Sequence, residues 1–153
     1  MREQVVQALA FRASAYALVA ALGASHDAVS HEGGREINPR IVEGQIIGGV
    51  AQGVGGALFE QWKYSETGQP QSTTFAAYHL PLTTDMPMVR VRHLHADTPA
   101  NPIGVRGAGE SGTIAVYAAL AAAVDDALGQ RIQIDSTPIC TARLFLALDR
   151  QAS

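Results

Sequence analysis

Gly107-Ala108-Gly109-Glu110-Ser111-Gly112, running directly into the alanine-rich stretch 113–128, is the segment on which the fold assignment turns. Its glycines let a backbone approach a ligand closely. The helix that follows would offer unpaired N–H groups and a partial positive charge at its start. Such a loop is either a phosphate cradle in a doubly wound sheet or a mount for one catalytic carboxylate in some other fold. The spacing matches G-x-G-x-x-G, and Asp135 follows about twenty residues later, where a ribose-binding acid is expected. Three observations count against the dinucleotide reading. Glu110 would put a negative charge where a pyrophosphate must sit, Pro102 and Gly104 interrupt any strand leading into the loop, and little chain remains after Asp135 to continue a parallel sheet.

The segments around the loop indicate an α+β domain. Asn38-Pro39 is a helix start, since Asn caps through its side chain and Pro suits the first turn. The segment Ile41 to Trp62 reads as helical although it carries Gly44, Gly48, Gly49, Gly53, Gly55 and Gly56. Each glycine costs a helix about 0.5–1 kcal/mol relative to Ala. Their i,i+4 pairs, Gly44/Gly48 and Gly49/Gly53, therefore imply something packed very close: a helix, a strand or a bound cofactor. Residues 25–36 read as a turn. Glu60 to Tyr64 and Gln71 to Leu80 read as strands around the turn Glu66-Thr67-Gly68-Gln69, and Val89 to Leu94 alternates as a half-buried strand. Ile114, Tyr117, Leu120, Val124 and Leu128 form one helical stripe that Gly129 ends. Ile132 and Ile134 suggest a short strand, and Thr137-Pro138 starts a terminal helix from Ile139 to Leu148. Residues 3–22 have roughly helical spacing, although Tyr16-Ala17-Leu18-Val19 fits a strand equally well.

Composition narrows the function. At 153 residues, 47% hydrophobic and 16% charged, the chain can bury a core and is not disordered. A net charge of −3 without a Lys/Arg run disfavours nucleic acid. The lone Cys140 fits a reducing compartment. The apolar stretch Ala13–Ala24 is too short to span a bilayer and follows no basic segment, so a cytoplasmic protein with no membrane partner is expected. His93 and His95 share a strand face, but no third ligand stands at metal spacing, and no metal-ligating residue is assigned. His26, His31 and His79 carry no specific signal, and no serine nucleophile elbow is present. Glu110 remains as a general-base candidate, with a solvent-exposed helix-start carboxylate as its ordinary alternative.

The stretch Ile37-Asn38-Pro39-Arg40-Ile41-Val42-Glu43-Gly44-Gln45-Ile46-Ile47-Gly48-Gly49-Val50-Ala51-Gln52-Gly53-Val54-Gly55 resembles the large, molybdopterin-binding subunit of the xanthine dehydrogenase/aldehyde oxidase family, the molybdenum hydroxylases. Gly104-Val105-Arg106-Gly107-Ala108-Gly109-Glu110-Ser111-Gly112-Thr113-Ile114 is similar to that family's active-site glutamate loop. The resemblance covers about residues 31–148 and rests on two long motifs in the right order. It implies a single α+β domain with a Gly-rich helix, antiparallel strands and C-terminal helices, like the family's second molybdopterin-binding domain. Residues 1–30 would be a divergent N-terminal segment and 149–153 a tail.

The resemblance also implies a function. Glu110 falls on the catalytic base of an enzyme that oxidises an aldehyde or N-heterocycle with water-derived oxygen. Gln45 falls on a pterin-contacting glutamine, and Gly107, Ala108 and Gly109 on cofactor-binding backbone. The cofactor would be molybdopterin with molybdenum, with or without a cytosine dinucleotide tail. Iron–sulfur and FAD groups would sit on partner domains or subunits. The upstream molybdopterin-binding part of the large subunit is the first expected partner, and without it the chain should be inactive and self-associate. Against the family pattern, His31-Glu32-Gly33-Gly34 stands where an aspartate-glycine turn is usual. The competing expectation is an interaction module with no catalysis of its own.

Overall fold

The computed structural model describes residues 28–86, 88–96, 101–128, 133–140, 144–146 and 149. Strand β1 is Ala28–Glu32 and strand β2 is Arg90–Leu94. Between them lies helix α1, Pro39–Val54, which widens into one π-helical turn over Gly55–Phe59. After β2 the chain forms the short helix α2, Ser111–Ile114, and then α3, Val116–Ala127.

The start of α1 follows the sequence signal. Asn38 is extended, its Oδ1 accepts from the Ile41 N–H at 3.3 Å, and Pro39 opens the helix. The buried positions Ile46, Gly49, Val50, Gly53 and Val54 recur at helical spacing and form one stripe. That stripe meets α2 and α3. Val50, Val54, Ala57 and Leu120 form the core, with Val29, Phe59, Met86, Val116 and Tyr117 packed against it.

Glycine sets how closely these helices pack. A methyl group on Gly112 would overlap the carbonyl oxygen of Ile46, and one on Gly53 would come within 2.6 Å of Val116 Cβ. Gly49 packs on Gly112 itself, where an added Cβ would lie 3.0 Å from its Cα. The Gly49/Gly53 pair is thus a helix-packing stripe. The Gly44/Gly48 pair is different: among the described residues nothing lies within 4 Å of a Cβ built at either position.

The strand readings need correction. β1 and β2 are parallel, with Ala28 opposite Arg90 and Glu32 opposite Leu94. The expected antiparallel strands do not form among the described residues; antiparallel pairing is limited to the isolated bridges Gly34–Val105 and Tyr64–Pro70. Residues 60–64 and 71–80 are irregular. Ser72 ties them together through its side chain, accepting from Lys63 N at 3.1 Å and donating to Gln61 O at 2.9 Å. Pro70 lacks the N–H that a longer ladder would use. The turn expected over 25–36 holds β1 instead, because parallel pairing with β2 buries His31 in spite of its polarity. Ile134 and Asp135 are not in a strand, which removes the strand that a dinucleotide fold would require there. The helix expected after the loop is broken at Ala115, so Ile114 stands on a separate turn and is 76% exposed, while Leu120 and Val124 are buried. Of the terminal helix expected over 139–148, Leu144–Leu146 is helical among the described residues. The readings for residues 3–22 lie outside the described residues. Among the described residues no helix is long and apolar enough to cross a membrane.

Candidate active site

The loop 101–110 has no regular secondary structure, yet it is fixed at both ends. At its entry Asn101 Oδ1 accepts from Gly104 N at 2.7 Å and from Val105 N at 3.2 Å, while Nδ2 donates to Val105 O at 2.9 Å. Gly104 sits at φ 72°, a left-handed conformation that favours glycine. The strip then runs beside the end of β1. Arg35 N donates to Gly104 O at 2.8 Å, Arg106 N donates to Gly33 O at 3.0 Å, and the Arg106 guanidinium pairs with the Glu32 carboxylate. At the exit Ser111 Oγ donates to Ala108 O at 3.1 Å, and Thr113 Oγ1 donates to Gly49 O at 3.0 Å on α1.

Glu110 lies at the N-cap of α2, exposed, and its carboxylate makes no capping hydrogen bond to its own helix. Gly107 and Gly109 just before it are open, with nothing within 4 Å of an added Cβ. Gln45 precedes Ile46, whose carbonyl presses on Gly112, so the glycine contact between helices also brings the Gln45 turn of α1 up to the Glu110 turn of α2. Gln45 stands three and four positions beyond Val42 and Ile41, hence on the same helical face. These two residues line a groove of about 330 Å³ together with Asn38, Arg106, Ala108 and His31. Of the residues expected at the site, Ala108 lines this groove, while Gln45, Gly107, Gly109 and Glu110 lie outside its lining, all exposed.

The histidines behave less simply than their spacing suggests. His93 Nδ1 lies 2.5 Å from Glu36 Oε1. His95 Nδ1 lies 3.1 Å from the Gly34 carbonyl oxygen, which can only accept, so that nitrogen carries the hydrogen. The i,i+2 pair is thereby divided between two partners. Among the described residues no group of three or more His, Cys, Asp or Glu could hold a metal ion. His31, which gave no signal in the sequence, is 5% exposed, and its Nε2 has no hydrogen-bond partner among the described residues. Gly33 packs beneath that ring, where a Cβ would come within 2.5 Å of Nε2. Asn101, Arg106 and Glu32 were likewise missed. For Asn101 a signal existed: an Asn three residues before a Gly is the pattern of a side-chain-closed turn.

The groove's walls combine apolar Ile41 and Val42 from α1 with Arg106 and Ala108 from the loop.

Known proteins resemble this chain in sequence and in fold. Residues 26–87 match the molybdopterin cofactor-binding domain family. The chain is 45% identical over 117 residues to the 6-hydroxypseudooxynicotine dehydrogenase complex subunit gamma of Paenarthrobacter nicotinovorans, covering 76% of this chain and 15% of that protein. It is 47% identical over 92 residues to the nicotine 6-hydroxylase large subunit of the same organism, covering 60% and 11%. Quinoline 2-oxidoreductase from Pseudomonas putida 86 superimposes with a TM-score of 0.76 at 42% identity, over 80% of this chain and 16% of that one. The chain thus spans about one seventh of the curated relatives it matches, 15% for the first of them. In sequence and in fold, it belongs to the molybdenum hydroxylase family and corresponds to part of the molybdenum-binding large subunit.

Proposed function

We propose that this chain forms one wall of the cofactor site in a molybdenum-dependent oxidoreductase, with Glu110 as the general base. The observation that supports this reading is the contact of Gly112 on the Ile46 carbonyl, which packs the α1 turn after Gln45 against the short helix that follows Glu110. The Gln45 carboxamide both donates and accepts, which suits the edge of a pterin. Gly107, Ala108 and Gly109 would bring backbone close to the same cofactor. When bound, molybdopterin with molybdenum supplies the two-electron redox chemistry. The Glu110 carboxylate takes the proton from the water-derived nucleophile that is added to the substrate carbon. Fixing loop and helix in advance holds that carboxylate near its working position.

The substrate class is an aldehyde or an N-heterocycle. Two similar proteins are named for nicotine and quinoline, which favours the heterocycle. Exposed Trp62, Phe75, Leu82 and Met88 support completion of this domain, residues 31–148, by the rest of a large subunit. Relatives named as subunits of larger complexes support further partners, which would carry iron–sulfur and FAD groups. The same exposed surface is what the interaction-module reading would use. The two readings part on one experiment. In the complete, molybdenum-loaded enzyme, Glu110→Gln should lower kcat by about 10²–10⁴-fold with molybdenum content unchanged. Full turnover by that variant would overturn the assignment.

A further inference from the structure

The residue that fixes the entry to the glycine loop touches neither the groove nor Glu110. Asn101 is half-buried and spends three hydrogen bonds on one short stretch of backbone: two N–H groups accepted at Oδ1 and one carbonyl served by Nδ2. An Asn side chain has four such bonds to offer in all. The stretch it closes is the one that docks on β1. Val105 bridges Gly34, and the flanking Gly104 and Arg106 bond Arg35 and Gly33. His95 in turn bonds the Gly34 carbonyl. Downstream of Arg106, the backbone through Gly107 and Gly109 meets no neighbouring atom that an added Cβ would touch. The next anchor is Ser111 on Ala108. The position of the Glu110 backbone is therefore set by the two ends of the loop, and the entry end rests on Asn101.

We infer that Asn101 is a positioning residue for Glu110: by closing the 101–105 turn against the end of β1 it sets where the carboxylate stands. The inference rests on the proposed role of Glu110. The mechanism is geometric and needs no contact with substrate. Asn101→Asp is the informative change. Its Oδ1 keeps both N–H bonds, but its Oδ2 replaces a donor with an acceptor against the Val105 carbonyl, at a separation now 2.9 Å. The turn should open on the side that docks on β1, while the core residues Val50, Val54 and Leu120 are untouched.

The test uses the complete, cofactor-loaded enzyme and a double-mutant cycle with Glu110→Gln. Misplacing a reacting group by about 1 Å costs on the order of 100-fold, so Asn101→Asp alone should lower kcat by about 10- to 100-fold with KM and molybdenum content near wild type. Amide hydrogen exchange at residues 104–110 should rise, and exchange in α3 should not. In the Glu110→Gln background, Asn101→Asp should lower the residual rate by less than about 2-fold, because the group it positions is gone. Equal losses in both backgrounds would overturn the proposal and show a generally structural asparagine. Unchanged kcat in Asn101→Asp, with Glu110→Gln inactive, would overturn it while leaving the base assignment standing. Full activity of Glu110→Gln would remove the base assignment and this inference with it. Asn101→Ala removes all three bonds and serves as the second variant. If Asn101→Asp does not fold or load, an Asn101→Ala enzyme that keeps wild-type kcat overturns the proposal.

Discussion

Gly112→Ala tests the contact that brings the two halves of the site together. The added methyl would overlap the Ile46 carbonyl oxygen, a backbone atom that cannot rotate aside. Relief requires α2 to retreat from α1. Overpacking of this kind costs about 1–3 kcal/mol, and replacing a helical glycine returns about 0.5–1 kcal/mol. The net expectation is a loss of about 1–2 kcal/mol, since the steric term exceeds the helix gain. For a chain of this size that is a fall in Tm of about 2–8 °C. Gly48→Ala is the matched control on the same helix: nothing lies within 4 Å of its new Cβ, so only the helix gain remains. It should stabilise the chain by about 0.5–1 kcal/mol. Thermal unfolding by circular dichroism on wild type and the two variants reads both signs. Gly112→Ala as stable as wild type, or Gly48→Ala destabilised to the same degree, would refute the assignment of a packed stripe and a bare one. In the complete enzyme Gly48→Ala gains a second meaning, because a cofactor lying on the bare face would be hindered by the same methyl.

Two further expectations concern the irregular segment 60–78. Ser72 is 3% exposed, and its hydroxyl serves both Gln61 and Lys63, so Ser72→Ala removes two part-buried hydrogen bonds. The loss should be about 1–3 kcal/mol, seen as a lower urea midpoint at unchanged slope; an unchanged midpoint would mean that water replaces the hydroxyl. Tyr78 donates to Glu60 Oε2 at 2.5 Å, and this bond to a carboxylate raises its phenol above the ordinary 10.0, with burial and the Glu60 charge adding to the shift. A raised value means that the folded state retains the phenolic proton. The stabilisation is complete below the ordinary value and is lost as pH rises through the folded one. Tyr78→Phe should therefore differ from wild type below pH 10.0, and the difference should shrink as pH rises above that value. A constant difference across that range would reject the linkage.

The sequence signals that proved reliable were those whose cause is local. Asn38-Pro39 starts α1 through a cap and a ring that need no distant partner, and the alternation in 89–94 survives as β2. Glycine at 49 and 53 announced a close neighbour, though the neighbour's identity, Gly112 and Val116, belongs to the tertiary fold. β1 was illegible because its hydrophobic content is low. His31 and Glu32 are strand residues only because β2 lies alongside and Arg106 receives the carboxylate. The residues at 60–64 and 71–80 have strand-like composition but find no lateral partner beyond one bridge at Tyr64 and Pro70. At the site, Glu110 stood out by type and setting, and Gln45 only through the family resemblance. Asn101 and His31 act through backbone and burial, which composition does not display.

The bonds that hold the glycine loop in place have a consequence for how the groove comes into being. His95 reaches Gly34 across 61 residues, Thr113 reaches Gly49 across 64, and Arg106 reaches Glu32 across 74. Ties between such distant parts of a chain are slow to form, because the entropy of closing a long loop must be met before the contact returns anything. Helix α1 and its cap can appear early from local signals. The walls of the groove come together only when the chain after β2 returns to the end of β1. Whatever the groove receives, its walls are complete only in the finished fold.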